Sequence, residues 1–310
     1  CDQYEDMVVL MAHTDVVFDD REELPLRRQD NILMAPGIGD DTANLVNLMM
    51  GAAFLAEHQD QLATGIMVVA NSCEEGLGNL KGCREIFNQY GNRIRAFYSF
   101  DGYMSMCTSI PVGSHRYRIQ VLTRGGHSYQ DFGRDNAIHI AAQIIDALYR
   151  ISPPKASVTT YNVGKINGGT TVNSIAQEAV ILYEYRSSSE TCLQEMKEKF
   201  CAVIEKFRAQ GKKVNVDILG IRPGAGEIDQ QVFERWTANN IACIREVYAG
   251  ELDRSPNSTD ANIPLSLGIP ANTIGTVKGG GAHTREEWVD LNSIPGGMGI
   301  VLRILALYMN

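Results

Sequence analysis

Five short segments carry side chains able to hold a cation or move a proton. The apolar run Met7–Ala12 leads directly into His13-Thr14-Asp15. An imidazole at the end of a buried strand is a good ligand for a borderline cation. A carboxylate two residues on can accept its other ring N–H, which fixes the tautomer and raises the basicity of the ligand nitrogen. Pro36-Gly-Ile-Gly-Asp-Asp41 then sets two acids in a turn ahead of a helix that begins near Thr42. Either acid can cap that helix. The two glycines let the backbone approach closely, so one carboxylate could instead bridge two cations while its neighbour caps. Asn71-Ser-Cys-Glu-Glu-Gly76 follows the apolar stretch Ile66–Ala70. Paired carboxylates in such a place suit metal-assisted hydrolysis, one ligating and the other taking a proton from the attacking water. Phe100-Asp101-Gly102 closes a third apolar run, and Gly279-Gly-Gly-Ala-His-Thr284 offers a second imidazole on a glycine-rich loop.

Each signal has a bland counterpart. A lone histidine can be a satisfied core residue, adjacent glutamates usually mark a solvated face, and an aspartate after a strand is often a turn former. The joint pattern argues otherwise, because several segments at the ends of buried strands each deliver a hard or borderline ligand. A nucleophilic hydrolase is less well supported. Ser72 and Cys73 precede the glutamates, but no G-x-S-x-G elbow surrounds them, and a buried strand-end cysteine is usually inert.

The elements that must position these residues alternate in the first third of the chain: strand 7–12, helix 42–57, strand 66–70, helix 79–90, strand 96–100. Strands that are nearly continuous in apolar residues imply a mixed α/β sheet covered by helices on both faces, with the site at the strand ends. From about residue 113 the texture changes, since Tyr117, Ile119 and Val121 alternate with Arg116, Arg118 and Gln120, the period of a half-exposed strand. A helix over 135–151, strands at 157–164 and 178–185, a helix capped near Ser188 and ending at Gly211, and a strand at 214–219 complete a β-α-β-β-α-β order. That order predicts an inserted ferredoxin-like α+β domain. The expected organisation is a catalytic domain of residues 1–112 and 224–310 with an insertion at 113–223.

Composition narrows the function classes. With 28 basic and 37 acidic residues among 310, a net charge of −9 and no basic run, the chain offers no phosphate-tracking face, so nucleic acid is not an expected partner. No apolar run approaches the roughly 20 residues of a membrane helix. Seven cysteines without C-x-x-C spacing predict neither a disulfide framework nor a cysteine zinc site, and a reducing cytoplasm is expected. The chain opens on Cys1 and enters a strand almost at once, so an upstream segment is expected to be missing.

The residues Ala12-His-Thr-Asp-Val16, Gly39-Asp-Asp41, Glu74-Glu-Gly76, Phe100-Asp101 and Ala282-His-Thr284 resemble the ordered metal motifs of the M20 metallopeptidases, particularly the peptidase-T-like tripeptidases and dipeptidases. The resemblance runs through Arg124-Gly-Gly-His-Ser128, Asn167–Asn173, Tyr185-Arg186 and Asn257–Asn262. It implies a hydrolase of small peptides or N-acyl amino acids with two divalent ions, zinc or alternatively cobalt or manganese. Asp40 would bridge them, His13 and Asp101 would complete one site, and Glu75 and His283 the other. Glu74 would be the general base and Asp15 would orient His13. In the inserted domain, a lid that also forms a homodimer, His127 would stabilise the oxyanion, while Arg186 and Asn173 would hold a substrate carboxylate. Asp260 would line the substrate pocket. Two departures from the family pattern stand out: Thr42-Ala43 replaces the usual Lys-Gly, and the N-terminal part of the catalytic domain is short. The competing expectation is a non-catalytic binding or assembly protein of the same fold.

Overall fold

In the computed structural model, residues 4–18 and 22–310 are described; Cys1 lies outside them. The chain opens with β1 (Met7–His13), the short β2 (Arg27–Gln29) and β3 (Ile32–Met34), α1 (Ala43–Glu57), β4 (Gly65–Asn71), α2 (Lys81–Tyr90), β5 (Ile94–Phe100) and β6 (Cys107–Thr108). There follow β7 (Gly113–Leu122), β8 (Gly126–His127), α3 (Ala137–Tyr149), β9 (Thr159–Gly168), β10 (Ser174–Ile175), β11 (Glu178–Ser187), α4 (Glu190–Ala209) and β12 (Lys213–Arg222). The last stretch holds α5 (Gln230–Arg245), α6 (Asn262–Ser266), β13 (Ala271–Ile274), β14 (Gly279–Gly280), β15 (Trp288–Asp290) and α7 (Ile294–Ala306). Two compact units result, one of residues up to Pro111 together with Ala225–Asn310, the other Val112–Gly224.

The first unit is built on a sheet of order β4-β1-β5-β13-β6, parallel except for β6. β1 is buried along its whole length, and the two-residue period of a strand divides it between two cores. Val8, Leu10 and Ala12 pack with Leu48 and Leu55 of α1 and with Ile300, Val301 and Ile304 of α7. Met7, Val9 and Met11 meet Leu80, Cys83 and Phe87 at α2 and Ile263 and Leu265 of α6. The sheet is thus covered on both faces, as unbroken apolar runs require. Because β1, β4 and β5 are parallel, the residues following them emerge along one edge, which puts His13, the Glu74–Glu75 turn and Asp101 on the same side. α2 begins at Lys81 rather than Asn79, because Asn79 and Leu80 are left-handed, which no helix interior tolerates.

A second sheet of the first unit, of order β14-β15-β3-β2, is antiparallel and has strands of only two or three residues. Runs this short carry no readable period. It joins the segment before Asp40 to the segment after His283.

The second unit is an antiparallel sheet of order β12-β7-β11-β9 in the β-α-β-β-α-β sequence. Tyr117, Ile119 and Val121 are buried with Ile140 and Ile144 of α3 and Leu193, Met196 and Phe200 of α4, while Arg116, Arg118 and Gln120 stay part-exposed on the opposite face. The cap of α4 is Ser189, one residue later than expected; its side chain accepts the N–H of Cys192. β9 is an edge strand and runs four residues past its expected end, to Gly168. β8 and β10 pair on their own, setting His127 opposite Ser174. Among the described residues no helix is long and apolar enough to cross a membrane.

Candidate functional site

His13, the last residue of β1, is 2 % exposed. Its Nδ1 lies 3.0 Å from the backbone carbonyl oxygen of Asp15, and its Nε2 lies 2.9 Å from Asp40 Oδ1. A proton on Nδ1 donated to that carbonyl leaves the lone pair on Nε2, facing a carboxylate oxygen. The expectation that the Asp15 carboxylate orients this ring is corrected here: the nearest carboxylate oxygen is 3.7 Å from Nδ1. The carboxylate accepts instead from the backbone N–H groups of Glu74 (3.2 Å) and Glu75 (2.9 Å). A short side chain just past a strand end reaches the neighbouring turn more easily than it folds back on the ring two residues before it.

Asp40 and Asp41 lie in a wide turn, Ile38–Thr42, leading into α1, and among the described residues no side chain caps either element. The capping alternative therefore fails for both. Asp41 is buried and its Oδ2 accepts the backbone N–H of His13 at 2.8 Å, while its buried Oδ1 has no hydrogen-bond partner among the described residues. Asp40 turns its carboxylate to both imidazoles: Oδ2 is 3.2 Å from His283 Nε2. His283 is itself 3.4 Å from Glu75 Oε1. His283 has a left-handed backbone and is 60 % exposed, so its loop presents the ring rather than burying it.

Potential ligand atoms fall into overlapping groups, each within 4.8 Å: His13, Asp40 and Asp101; Asp40, Glu75 and His283; and His13, Glu74 and Glu75. The first two share Asp40. Several features fit cations here. Burial disfavours a charged His13 imidazole, yet Asp40, Asp101, Asp41 and Glu74 overcome it and push the ring up to about 12. Asp40 and Glu75 push His283 up to about 10. Burial and then the nearby Asp40 lift Asp101 to about 7. Acids crowded closely enough to hold both imidazoles toward their charged form are arranged for a cation. Three nitrogen and oxygen donors per group suit zinc, cobalt or manganese.

Several polar residues that hold this site give no signal in the sequence. Buried Asn44 donates to the carbonyls of Gly39 and Gly102 and accepts from the backbone N–H of Thr276, joining three loops. Glu287 receives backbone N–H groups of the Asp40 loop. Asn71 donates to Asp260 Oδ2 at 2.5 Å, and its carbonyl accepts from the N–H and the hydroxyl of Thr14. Asp260 is only 1 % exposed. The residue expected to line a substrate pocket therefore lies buried beneath the β1 and β4 ends, with Oδ2 on Asn71.

In the second unit, His127 is exposed, and its Nδ1 accepts from the backbone N–H groups of Tyr129 (3.2 Å) and Gln130 (3.4 Å). Asn173 is also exposed and its carbonyl accepts the N–H of Ser128. The structure does not bring Arg186 to these two. It pairs with Ser114 at one end of β11, while Glu178, at the other end, pairs with Leu122 shortly before the His127 loop. The Arg186 fork is held by Glu184 through Nε (2.9 Å) and Nη2 (3.1 Å).

Known proteins are similar to this chain over nearly its whole length. A Mycobacterium tuberculosis protein carrying the provisional name succinyl-diaminopimelate desuccinylase DapE is 24 % identical over 306 residues, spanning 96 % of this chain and 82 % of its own. A tripeptidase from Staphylococcus aureus superposes with a TM-score of 0.75 at 20 % identity, covering 98 % of this chain and 81 % of its own. The YxeP protein of Bacillus subtilis, described as a dinuclear metal-binding peptidase, superposes with a TM-score of 0.63 at 14 % identity over 98 % of this chain and 82 % of its own. The sequence pattern of peptidase family M20/M25/M40 matches residues 9–307, from β1 into the last turn of α7 and its end. On that match the chain belongs to peptidase family M20/M25/M40 and is a hydrolase.

Proposed function

We propose that this hydrolase cleaves the amide bond of small peptides or N-acyl amino acids at a centre of two zinc-class ions. The observation that carries the reading is the sharing of Asp40 by two ligand groups. His13 and Asp101 would hold one ion with Asp40, and Glu75 and His283 the other. Bound ions of this kind supply Lewis acidity toward an amide carbonyl and toward water.

The protein's own side chains do the rest. Glu74, buried beside His13, takes the proton of the attacking water and returns it to the leaving amine. Asp15 holds the backbone of Glu74 and Glu75, so base and ligand are oriented by one carboxylate. His127, with Nδ1 engaged as an acceptor, keeps its proton on Nε2 and so offers a donor to a developing oxyanion. Arg186 is suited to a substrate carboxylate by its planar fork, with Asn173 as a second polar contact. Asp260 supports Asn71 and the strand ends.

The second unit serves as lid and dimerisation domain. Glu178 and Arg186 are eight positions apart on β11, roughly 27 Å at about 3.4 Å per residue. A substrate of two or three residues cannot span that length. Two copies paired across the β9 edge or the polar sheet face would let one supply His127 and Asn173 and the other Arg186. A homodimer is therefore the proposed assembly, in a reducing cytoplasm.

The test is a hydrolysis screen of dipeptides, tripeptides and N-acyl amino acids with zinc, cobalt or manganese added to the metal-free protein. Release of the free amine with at least one ion is expected. No amide hydrolysis with any of them would contradict the proposal.

A further inference from the structure

We propose that Glu287 is the positioning residue that sets Asp40 between the two imidazoles, an inference that rests on the shared-ion reading of Asp40 above. Glu287 is 1 % exposed, and both its carboxylate oxygens are directed at one loop. Oε2 accepts the backbone N–H of Gly37 at 2.7 Å, and Oε1 accepts those of Gly39 at 2.9 Å and Asp40 at 2.7 Å. Its own carbonyl accepts the N–H of Ala35 at 3.0 Å. A buried anion with three N–H donors is a charge-assisted anchor, stronger than the neutral bonds that usually hold a turn.

The anchor has a direction. Glu287 is four residues after His283 on the segment that enters β15, and β15 pairs with β3 just ahead of the Asp40 turn. One side chain therefore fixes the backbone of Asp40 relative to the strand that carries His283. The loop is shaped for it. A Cβ at position 39 would sit 3.0 Å from Glu287 Oε1 and 2.7 Å from Tyr103 Cε1, and Gly37 is left-handed with φ +73°, so glycine at both positions allows the carboxylate its approach. None of the three amides belongs to a side chain, so no exchange of residue type within the loop could replace the contact.

Glu287→Gln keeps the shape but turns an amide N–H toward amide donors, so at least one of the three bonds becomes a repulsion. Hydrogen exchange in the metal-free protein should show the amides of 37–40 opening faster in the variant. Titration of the metal-free protein with cobalt should show affinity falling about ten- to a hundredfold, the usual scale for groups that orient ligands, with a changed visible cobalt spectrum. Ile304→Ala, near the end of α7 and buried in the core shared with α1 and β1, is the stability control: it should lower Tm and leave affinity and spectrum alone. Gly39→Ala, which crowds Oε1, should repeat the Glu287→Gln effects if that variant does not fold. Unchanged exchange at 37–40, wild-type cobalt affinity in Glu287→Gln, or an equal loss in Ile304→Ala would each overturn the role. A wild-type protein binding fewer than two ions would instead sink the shared-ion reading, while the exchange measurement still judges the anchor.

Discussion

The carboxylate of Asp15 accepts the backbone N–H of Glu75 at 2.9 Å, and its other oxygen takes the N–H of Glu74 at 3.2 Å. The ring of His13 is held by the backbone carbonyl of Asp15 instead. Removing the side chain should therefore disturb the base turn and spare the histidine. Asp15→Ala is expected to lower kcat by about ten- to a hundredfold while ion stoichiometry stays at the wild-type value. Wild-type kcat in this variant would remove the carboxylate from the support of the base turn.

Glu74→Gln should keep the ions and lose turnover, by about 10²–10⁴-fold, because an amide neither accepts nor returns a proton. Kinetics and elemental analysis on the same preparation check it. Loss of an ion with residual turnover would mean that Glu74 and Glu75 have exchanged roles.

Arg186→Ala should weaken substrates with a free α-carboxylate far more than the matching amides, since only the acids lose a charge-assisted bidentate contact. Glu184 occupies that fork at 2.9 and 3.1 Å, so a substrate carboxylate must displace it. The ratio of kcat/KM for acid and amide is the readout. Equal losses would put Arg186 outside the substrate site.

The assembly is tested by complementation. If His127 serves in trans and His283 in its own chain, neither His127→Ala nor His283→Ala alone should turn over substrate. Mixing them under exchange should restore roughly a quarter of wild-type activity, the share of intact sites at random assortment in two-fold dimers. An inactive mixture with demonstrated exchange would place His127 in cis or outside the reaction, and a monomer in light scattering would remove the dimer.

What was legible in the sequence is what strand ends advertise. Met7–Ala12 and Ile66–Ala70 read as buried parallel strands, and the acids and imidazole after them read as ligands, because apolar runs and their termini carry local signals. The alternation of Tyr117, Ile119 and Val121 with Arg116, Arg118 and Gln120 likewise announced the half-wet sheet of the second unit. Contacts between a side chain and a distant backbone amide announce nothing. Asp41 accepts from His13, 28 residues earlier, and Glu287 from Gly37, 250 residues earlier. In sequence Asp41 looks like a helix cap, and Glu287 carries no local signal at all. Asp260 was placed by resemblance alone, and its burial against Asn71 is another long-range contact that gives no local signal.

The most direct test of the account is the ion content of Asp40→Ala. Its Oδ1 faces His13 at 2.9 Å and its Oδ2 faces His283 at 3.2 Å, so one substitution removes a ligand from both groups at once. Elemental analysis after dialysis should find two divalent ions per wild-type chain and neither held tightly by the variant. Two tightly bound ions in Asp40→Ala would contradict a shared carboxylate and, with it, the two-metal mechanism.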